Sequence, residues 1–367
     1  MMKQEYDFAI VGGGLVGMAI AYGLAKRGQK TIVLDGEDSS MRAARGNFGL
    51  IWVSGKGRKQ VDYGRWSLES ALLWPAFAAE LEEAASFSLG YSRAGGINIA
   101  MTDDALAGSV DTLRHLHAQD ARLTYEILDR QQLTERIPEV GQNVAGAVYS
   151  ENDGHVSPLY TLRALFLAFA RTGGDYVPEA PVKSIERANG GFRVDTGKRT
   201  LEAGRIVLCA GLGNRELAPL VGLNAPVVPL RGQILVTERV RPFLKHPTLS
   251  VRQTAEGSVL LGESAEDAGM DDGVTPEIVA HIARKAVTQF PLLKGVRVVR
   301  AWGALRVMTP DSMPVYEESA THPGAFIATC HSGVTLAAAH CELLVAWLLG
   351  GQRPSLLDHF YAKRFAV

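Results

Sequence analysis

The sequence predicts an α/β and α+β fold, in which a helix-flanked parallel sheet is assembled from discontinuous segments and interrupted by an inserted antiparallel sheet. Three observations predict it. Near the start, the apolar run Phe8-Ala9-Ile10-Val11 leads into Gly12-Gly13-Gly14-Leu15-Val16-Gly17, and residues 8–25 carry no charge. From Val227 to Gly262 the pattern becomes strand-rich, with Gly232, Gly257 and Gly262 as punctuation. The chain then closes on a second strand, glycine turn and helix, at Ala325–Ala328, Ser332-Gly333 and Val334–Leu349.

The first unit reads as a strand to Val11, a helix from Leu15 to Arg27 and a strand Thr31–Leu34 that ends on Asp35. Gly12 allows the tight turn, Gly14 lets backbone approach a pyrophosphate, and Gly17 lets helix and strand pack closely. The helix N-terminus adds unpaired N–H groups and positive potential. Asp35 lies eighteen residues beyond Gly17, where an acid holds a ribose hydroxyl pair. Together these predict a Rossmann-like unit binding an adenine dinucleotide. The uncharged stretch is a poor membrane helix, because three consecutive glycines disrupt an isolated helix. Glu5 and Asp7 are equally wrong for a basic leader.

After Asp35 comes a loop, Gly36 to Lys59, and then a helix over Tyr63–Ala85 whose apolar stripe includes Trp66, Leu73, Phe77 and Leu81. Ser92–Ala100 and Leu123–Leu128 read as strands around a helix, Asp104–Ala118. Ser157-Pro158 opens a helix reaching Arg171, since Ser is a good N-cap and Pro suits the first turn. Strands follow at Val182–Ile185, Phe192–Thr196 and Arg205–Leu208, the last running into Cys209-Ala210-Gly211; a helix spans Pro276–Phe290. This interleaving assigns residues 1–88, 143–224 and 300–367 to the nucleotide-binding domain, and 89–142 and 225–299 to an inserted substrate domain. A nicotinamide dehydrogenase usually keeps its nucleotide domain contiguous, so the discontinuity favours flavin.

Composition fits a globular enzyme: 367 residues, 47% hydrophobic and 21% charged. Lys plus Arg total 38 against 39 Asp plus Glu, which gives no reason to expect nucleic acid or an anionic membrane as partner. Cys209, Cys330 and Cys341 are widely spaced in apolar surroundings and cannot all pair, which favours reduced thiols in a cytoplasm. The nine histidines form no cluster of metal spacing, so no metal is expected.

Several motifs in order resemble the flavin-dependent amine oxidases of the D-amino-acid oxidase superfamily, in the glycine oxidase and sarcosine oxidase branch. They are Gly12–Gly17, Asn152-Asp153-Gly154-His155-Val156-Ser157-Pro158, Ile206–Gly211, Pro229-Leu230-Arg231-Gly232-Gln233 and Leu261-Gly262-Glu263. Trp302-Gly303-Ala304-Leu305-Arg306, Thr309-Pro310-Asp311-Ser312-Met313-Pro314 and His331-Ser332-Gly333-Val334 complete the series. The loop Gly46–Trp52 with Gly55-Lys56-Gly57 resembles iminodiacetate oxidase and the catalytic subunits of opine and hydroxyproline dehydrogenases. The resemblance implies a glutathione-reductase-like flavoprotein fold with FAD as cofactor. It implies oxidation of a small, N-substituted amino acid at the carbon next to nitrogen, the imine then hydrolysing to a carbonyl compound such as glyoxylate and an amine. Oxygen, giving hydrogen peroxide, is the default acceptor; the alternative is a partner protein within a heteromeric dehydrogenase. Homo- or hetero-oligomers are both compatible with the sequence.

The resemblance also implies site residues. Arg306 stands where the family places the arginine that binds the substrate carboxylate, and a planar guanidinium suits that group. His331 lies in the turn expected beside the flavin. Arg252 or Lys56 would bind a second carboxylate. The cofactor is expected to touch Gly12, Gly14, Leu15, Val16, Gly17, Asp35, Gly36, Ala43, Ala44, Asn47, Phe48, Gly49, Leu50, Val182, Ala210, Gly211, Ser332, Gly333, Val334 and Thr335. His155 stands near a histidine that faces a second flavin in heteromeric relatives. Two departures matter. Ala304 replaces the cysteine that tethers FAD in sarcosine oxidases, so the flavin is expected to be non-covalent. Gly273 or a neighbour replaces their oxygen-activating lysine.

Overall fold

The computed structural model describes residues 5–36 and 43–365. Its first strand, β1 (Tyr6–Val11), is followed by helix α1 (Leu15–Ala25) and strand β2 (Thr31–Leu34). β1 lies between β2 and the strand Thr200–Leu208, parallel to both, with Ile10 opposite Val33 on one side and Val207 on the other. Beyond Thr200–Leu208 come Ala325–Thr329 and Val315–Glu318, and beyond β2 comes Asp175–Val177. A hairpin, Ser184–Ala188 with Gly191–Asp195, pairs onto Thr200–Leu208 and completes eight strands among the described residues.

The near-continuous apolar runs of β1 and β2 reflect burial on both faces, as expected for parallel strands. Phe8, Ile10, Val33 and Val207 point into a core shared with α1 and the helices Val61–Ala85, Pro158–Arg171 and Gly333–Ala339. Ala9, Val11, Ile32, Leu34, Ile206 and Leu208 point the other way, against the hairpin residues Ile185, Phe192 and Val194 and against Val221. Period-two alternation within single strands thus feeds two cores.

The second layer is antiparallel. A four-stranded sheet runs in the order Val251–Gln253, Ser258–Leu261, Val228–Arg239, Val298–Met308. A three-stranded sheet joins Gly96–Ala100, Gly146–Ser150 and Glu126–Leu128. Ile97, Ala147, Leu235, Val259 and the helix residues Ile282 and Ala286 fill one core between them. The strand Val298–Met308 is hydrogen-bonded along its length to Val228–Arg239, from Val228 opposite Met308 to Thr237 opposite Val298. That ladder ties residues 300–308, grouped from sequence with the nucleotide-binding segments, to the antiparallel sheet.

Two expectations for single elements need adjustment. Only Gly96–Ala100 of the expected strand 92–100 is regular; Ser92 forms an isolated bridge with His155, and Gly95 turns the chain at φ 87°. The last helix is not uniform: a π-helical turn, His340–Leu344, separates Gly333–Ala339 from Val345–Leu348. It lies where α1 approaches most closely. A Cβ on Gly23 would come within 2.3 Å of the Cys341 carbonyl oxygen, and Arg27 Nη1 donates to that oxygen at 3.0 Å. The displaced carbonyl therefore keeps a donor. Among the described residues no helix is long and apolar enough to cross a membrane.

Candidate active site

The glycine run forms a cradle whose shape is set by missing side chains. Gly12 has φ 109°, and a Cβ there would lie 2.5 Å from the Cys209 carbonyl oxygen. A Cβ on Gly17 would lie 1.9 Å from the Gly12 oxygen, so α1 can pack onto β1 only through glycine. At Gly14 a Cβ would meet nothing nearer than Ala44 Cβ at 3.8 Å, which marks the open side. No side chain caps α1, leaving its first N–H groups for an anion. Asp35 is buried at the end of β2, where Tyr176 Oη donates to it at 3.2 Å. Ala180 N–H donates to the Asp35 carbonyl at 2.8 Å, which brings the stretch carrying Val182 to the same end as Gly36.

Ala210 and Gly211 follow the neighbouring parallel strand, with Ala210 Cα 2.9 Å from a Cβ built on Gly12. The Ser332–Thr335 turn closes the other end: a Cβ on Gly333 would lie 3.4 Å from Val16 Cγ2 and 3.9 Å from Leu15 Cβ. Residues from five separate stretches therefore form one trough, and its glycine floor, open helix terminus and terminal acid fit an adenine dinucleotide.

The trough runs into a cavity of about 470 Å³ beneath the antiparallel sheet. Ala43, Asn47, Phe48 and Leu50 line it from the loop, Ser332, Val334 and Thr335 from the turn, and Gly232, Ala304, Leu305 and Arg306 from the sheet. Gly49 instead packs outward at φ 94°, where a Cβ would strike the Val156 carbonyl at 2.2 Å.

Arg306 extends across Gly232, whose missing side chain makes room for the guanidinium: a Cβ there would be 2.5 Å from Cζ. Its Nη1 donates to the Arg231 carbonyl at 3.3 Å. Burial pushes its pKa down, partly opposed by Glu263 and Glu266. Among the described residues no carboxylate lies within ion-pair distance of Arg306. A half-buried guanidinium with most donors open is costly unless a ligand supplies the anion.

Lys56 faces the same cavity. Its Nζ donates to the Trp52 carbonyl and to Thr335 Oγ1, and lies 5.9 Å from the Tyr63 ring centroid. Burial lowers its pKa to about 8, with Asp153 pulling the other way. Asp153, fully buried, anchors the loop: its carboxylate accepts from Val53 N at 2.6 Å, Ser54 N at 3.1 Å and the Ser54 hydroxyl. Burial raises the Asp153 pKa to about 6. His331 also lines the cavity, with part of its side chain open to solvent, and desolvation, then Arg306 and Lys56, push its pKa below the ordinary value. It is therefore neutral near pH 7, beside two cations.

The structure does not bring Arg252 into this group. It is buried behind Phe48, donating from Nε to the Phe48 carbonyl at 2.7 Å, with Nη1 3.3 Å from His155 Nδ1. The physical reason lies in its strand: Val251–Gln253 is buried at every position, so the side chain supports the cavity wall from outside. His155 is buried against Arg252 as well, and presents no open face to a second flavin.

Tyr63, Ser312 and Glu263 are among the lining residues given no role from sequence. Tyr63 shares a 2.7 Å hydrogen bond between its hydroxyl and Ser332 Oγ, fixing the turn. Ser312 takes φ 66° at the rim, and Glu263 takes φ 80°. For Glu263 the signal was available, because a charge directly after the apolar run Val259-Leu260-Leu261-Gly262 ends that strand in the open. For Tyr63 nothing in the helical pattern separates it from a core residue.

A dinucleotide trough that opens on a cation-lined cavity, roofed by an antiparallel sheet, defines a flavoprotein oxidoreductase. The profile of the FAD dependent oxidoreductase (DAO) family matches residues 7–347, and the chain belongs to that family, with FAD as its cofactor. It is 40% identical over 363 residues to one of the subunits of opine oxidase from Agrobacterium tumefaciens (strain Ach5), covering 98% of each chain. The glycine oxidase structure from Geobacillus kaustophilus superposes with a TM-score of 0.90 at 24% identity, covering 98% of each chain. Iminodiacetate oxidase from Chelativorans sp. BNC1 superposes with a TM-score of 0.86 at 19% identity, covering 96% of this chain and 98% of that one. The two structural likenesses establish the fold.

Proposed function

We propose that this chain oxidises the C–N bond of a small N-substituted amino acid bearing two carboxylates, of the N-carboxymethyl or N-carboxyalkyl type. The imine product then hydrolyses to a carbonyl compound and an amine. One observation carries this reading: Arg306 and Lys56, neither with a carboxylate partner among the described residues, line one cavity that continues from the FAD trough. Arg306 would take the α-carboxylate through its open N–H groups. Lys56, held by the Trp52 carbonyl and Thr335, would take the second carboxylate as a point charge. Bound FAD would accept one hydride, which carries both electrons, from the carbon next to nitrogen. Phe48, Leu50 and Val334 exclude water around that carbon, and neutral His331 adds a hydrogen-bonding group without adding charge. The substrate nitrogen reacts as the free amine, so its proton must leave to solvent before oxidation. Relatives named for opine and iminodiacetate oxidation support the same substrate class.

The flavin is held non-covalently in this reading. Ala304 lines the cavity, whereas Cys209, Cys330 and Cys341 are free, buried and absent from its lining. Acid precipitation should therefore leave all yellow colour in the supernatant. The decisive test is anaerobic mixing of the FAD-loaded protein with iminodiacetate, N-(1-carboxyethyl) amino acids, sarcosine and glycine, following flavin absorbance. Fast bleaching by the dicarboxylates is expected. Equal bleaching by sarcosine would remove the second-carboxylate role. A relative that is one part of a multi-subunit oxidase favours a partner protein as electron acceptor. Peroxide release by the purified chain at the rate of flavin reduction would return the reading to oxygen.

A further inference from the structure

Of the stretch Pro229-Leu230-Arg231-Gly232-Gln233, Gly232 alone lines the cavity, where its missing side chain makes room for Arg306. Side chains alternate along a strand, so Arg231 and Gln233 lie on the opposite face of the sheet. Both are buried, Gln233 completely. A buried guanidinium and a buried amide are costly without partners. One residue supplies most of them: Glu266, in the loop between the strand Ser258–Leu261 and the helix Pro276–Gln289.

Arg231 Nη2 donates to Glu266 Oε2 at 2.9 Å, Gln233 Nε2 to both Glu266 oxygens at 2.9 and 3.1 Å, and Ser264 Oγ to Oε1 at 3.2 Å. Burial would raise the Glu266 pKa, but the bonds from Arg231 and Gln233 outweigh it and hold the carboxyl below its ordinary value. Glu266 is therefore charged at neutral pH. The main chain closes the same clasp: Arg231 N–H donates to the Glu266 carbonyl at 2.9 Å, and Glu266 N–H to the Arg231 carbonyl at 3.0 Å. That carbonyl also accepts from Arg306 Nη1 at 3.3 Å, so its two lone pairs serve Glu266 and Arg306. The rest of the loop is tied down as well. Gln233 Oε1 accepts from Thr275 N at 3.1 Å, and Arg231 Nη1 donates to Asp271 at 2.6 Å. With Glu266 clasped in this way the Arg231 carbonyl cannot turn, and Arg306 keeps one direction into the cavity.

We infer that Arg231, Gln233 and Glu266 are positioning residues for Arg306: from the far face of the sheet they fix the carbonyl that receives its guanidinium, and so set how tightly the substrate carboxylate is held. This rests on the function proposed above, in which Arg306 takes the α-carboxylate. Glu266 is the hub, since it holds Arg231 by side chain and main chain together. A guanidinium fixed before the ligand arrives loses less freedom on binding it. A cluster that only fastened the loop would affect folding and leave the aim of Arg306 untouched.

The experiment uses the full-length FAD-loaded protein. Acetate, a carboxylate with no C–N bond to oxidise, is titrated against flavin absorbance to give a Kd, and iminodiacetate is used for anaerobic flavin reduction. Both are measured for wild type, Glu266→Gln, Arg306→Met and the double variant. Glu266→Gln should raise the acetate Kd and the half-saturating iminodiacetate concentration roughly 10-fold, with flavin content and the limiting reduction rate little changed. In the Arg306→Met background the same substitution should add less than about twofold, because a residue that acts through Arg306 has nothing left to position. Gln233→Met removes two hydrogen bonds from Glu266 without adding a charge. It is the second variant should the Glu266→Gln protein fold poorly, and it should move the acetate Kd in the same direction. Unchanged acetate binding in Glu266→Gln, or an equal loss with and without Arg306, overturns the positioning role. If Arg306→Met itself leaves acetate binding unchanged, the carboxylate anchor of the proposed function falls and this inference with it. If Arg306→Met weakens acetate binding and Glu266→Gln does not, this inference alone falls.

Discussion

The trough around Gly12–Gly17 and the cavity under the antiparallel sheet are built in opposite ways. The trough works by subtraction: a Cβ at Gly17 would stand 1.9 Å from the Gly12 oxygen, and the groups it leaves open are backbone N–H donors at the start of α1. The cavity works by convergence, since Lys56, Glu263, Arg306 and His331 come from a loop, two strands' ends and a turn. Backbone recognition tolerates any sequence that keeps the glycines. Side-chain recognition depends on each named residue and on the layer that aims it.

The sharpest way to break this contrast is Gly17→Val. With no space between α1 and β1, flavin content should drop to near zero and soluble yield should fall, as judged by absorbance at the flavin band against total protein. A yellow, stable Gly17→Val protein would mean that the trough is not built by close packing. Next in size is Arg306→Met, which should raise KM for carboxylate substrates about 100-fold, about 2–3 kcal/mol, while flavin content stays at wild-type level. Retained substrate affinity would remove Arg306 from the site.

Lys56→Met should cost about 10-fold in KM, for dicarboxylates and not for sarcosine. The pH dependence gives the sign. Burial holds Lys56 near 8, so it is charged below that pH and neutral above. KM for a dicarboxylate should accordingly rise as pH climbs through about 8. In Lys56→Met the rise should vanish; a rise unchanged by the substitution assigns it to another group. The smallest effect is expected of Arg252→Met, about threefold or less in KM, because Arg252 touches the Phe48 backbone and not the cavity. A tenfold loss confined to dicarboxylates would place Arg252 in the site after all.

The same contrast explains what sequence reasoning reached. Gly12, Gly14, Gly17 and Asp35 act through local geometry, so their spacing was enough to predict the turn, the close helix packing and the strand end that the structure has there. The elements α1, β2 and the helix from Pro158 were equally legible, because their apolar periodicity and caps are short-range signals; the Ser157 side chain does accept from Tyr160 N. Arg252 and Lys56 could not be told apart from the chain alone. Each is a single cation in a plausible segment, and only the direction of the side chain separates a wall support from a ligand. Val298–Met308 was missed as a strand because its alternation is broken by Arg300, Gly303 and Arg306, and its partner, Val228–Arg239, is distant in sequence. The π-helical turn at His340–Leu344 packs against Gly23 of α1, a contact that no pattern within the last helix reveals.

The sequence by itself determined the cofactor class and the layered fold and singled out Arg306, since those follow from spacing, periodicity and residue chemistry within short windows. Only the tertiary structure decided which cations face the cavity, that Asp153 winds the Trp52–Lys56 loop into place, and that Glu263 stands at the rim as the opposing charge. The physical reason is range. A glycine or a cap acts on its neighbours, whereas the sign of a pocket is a sum over side chains that meet only after the sheets have packed.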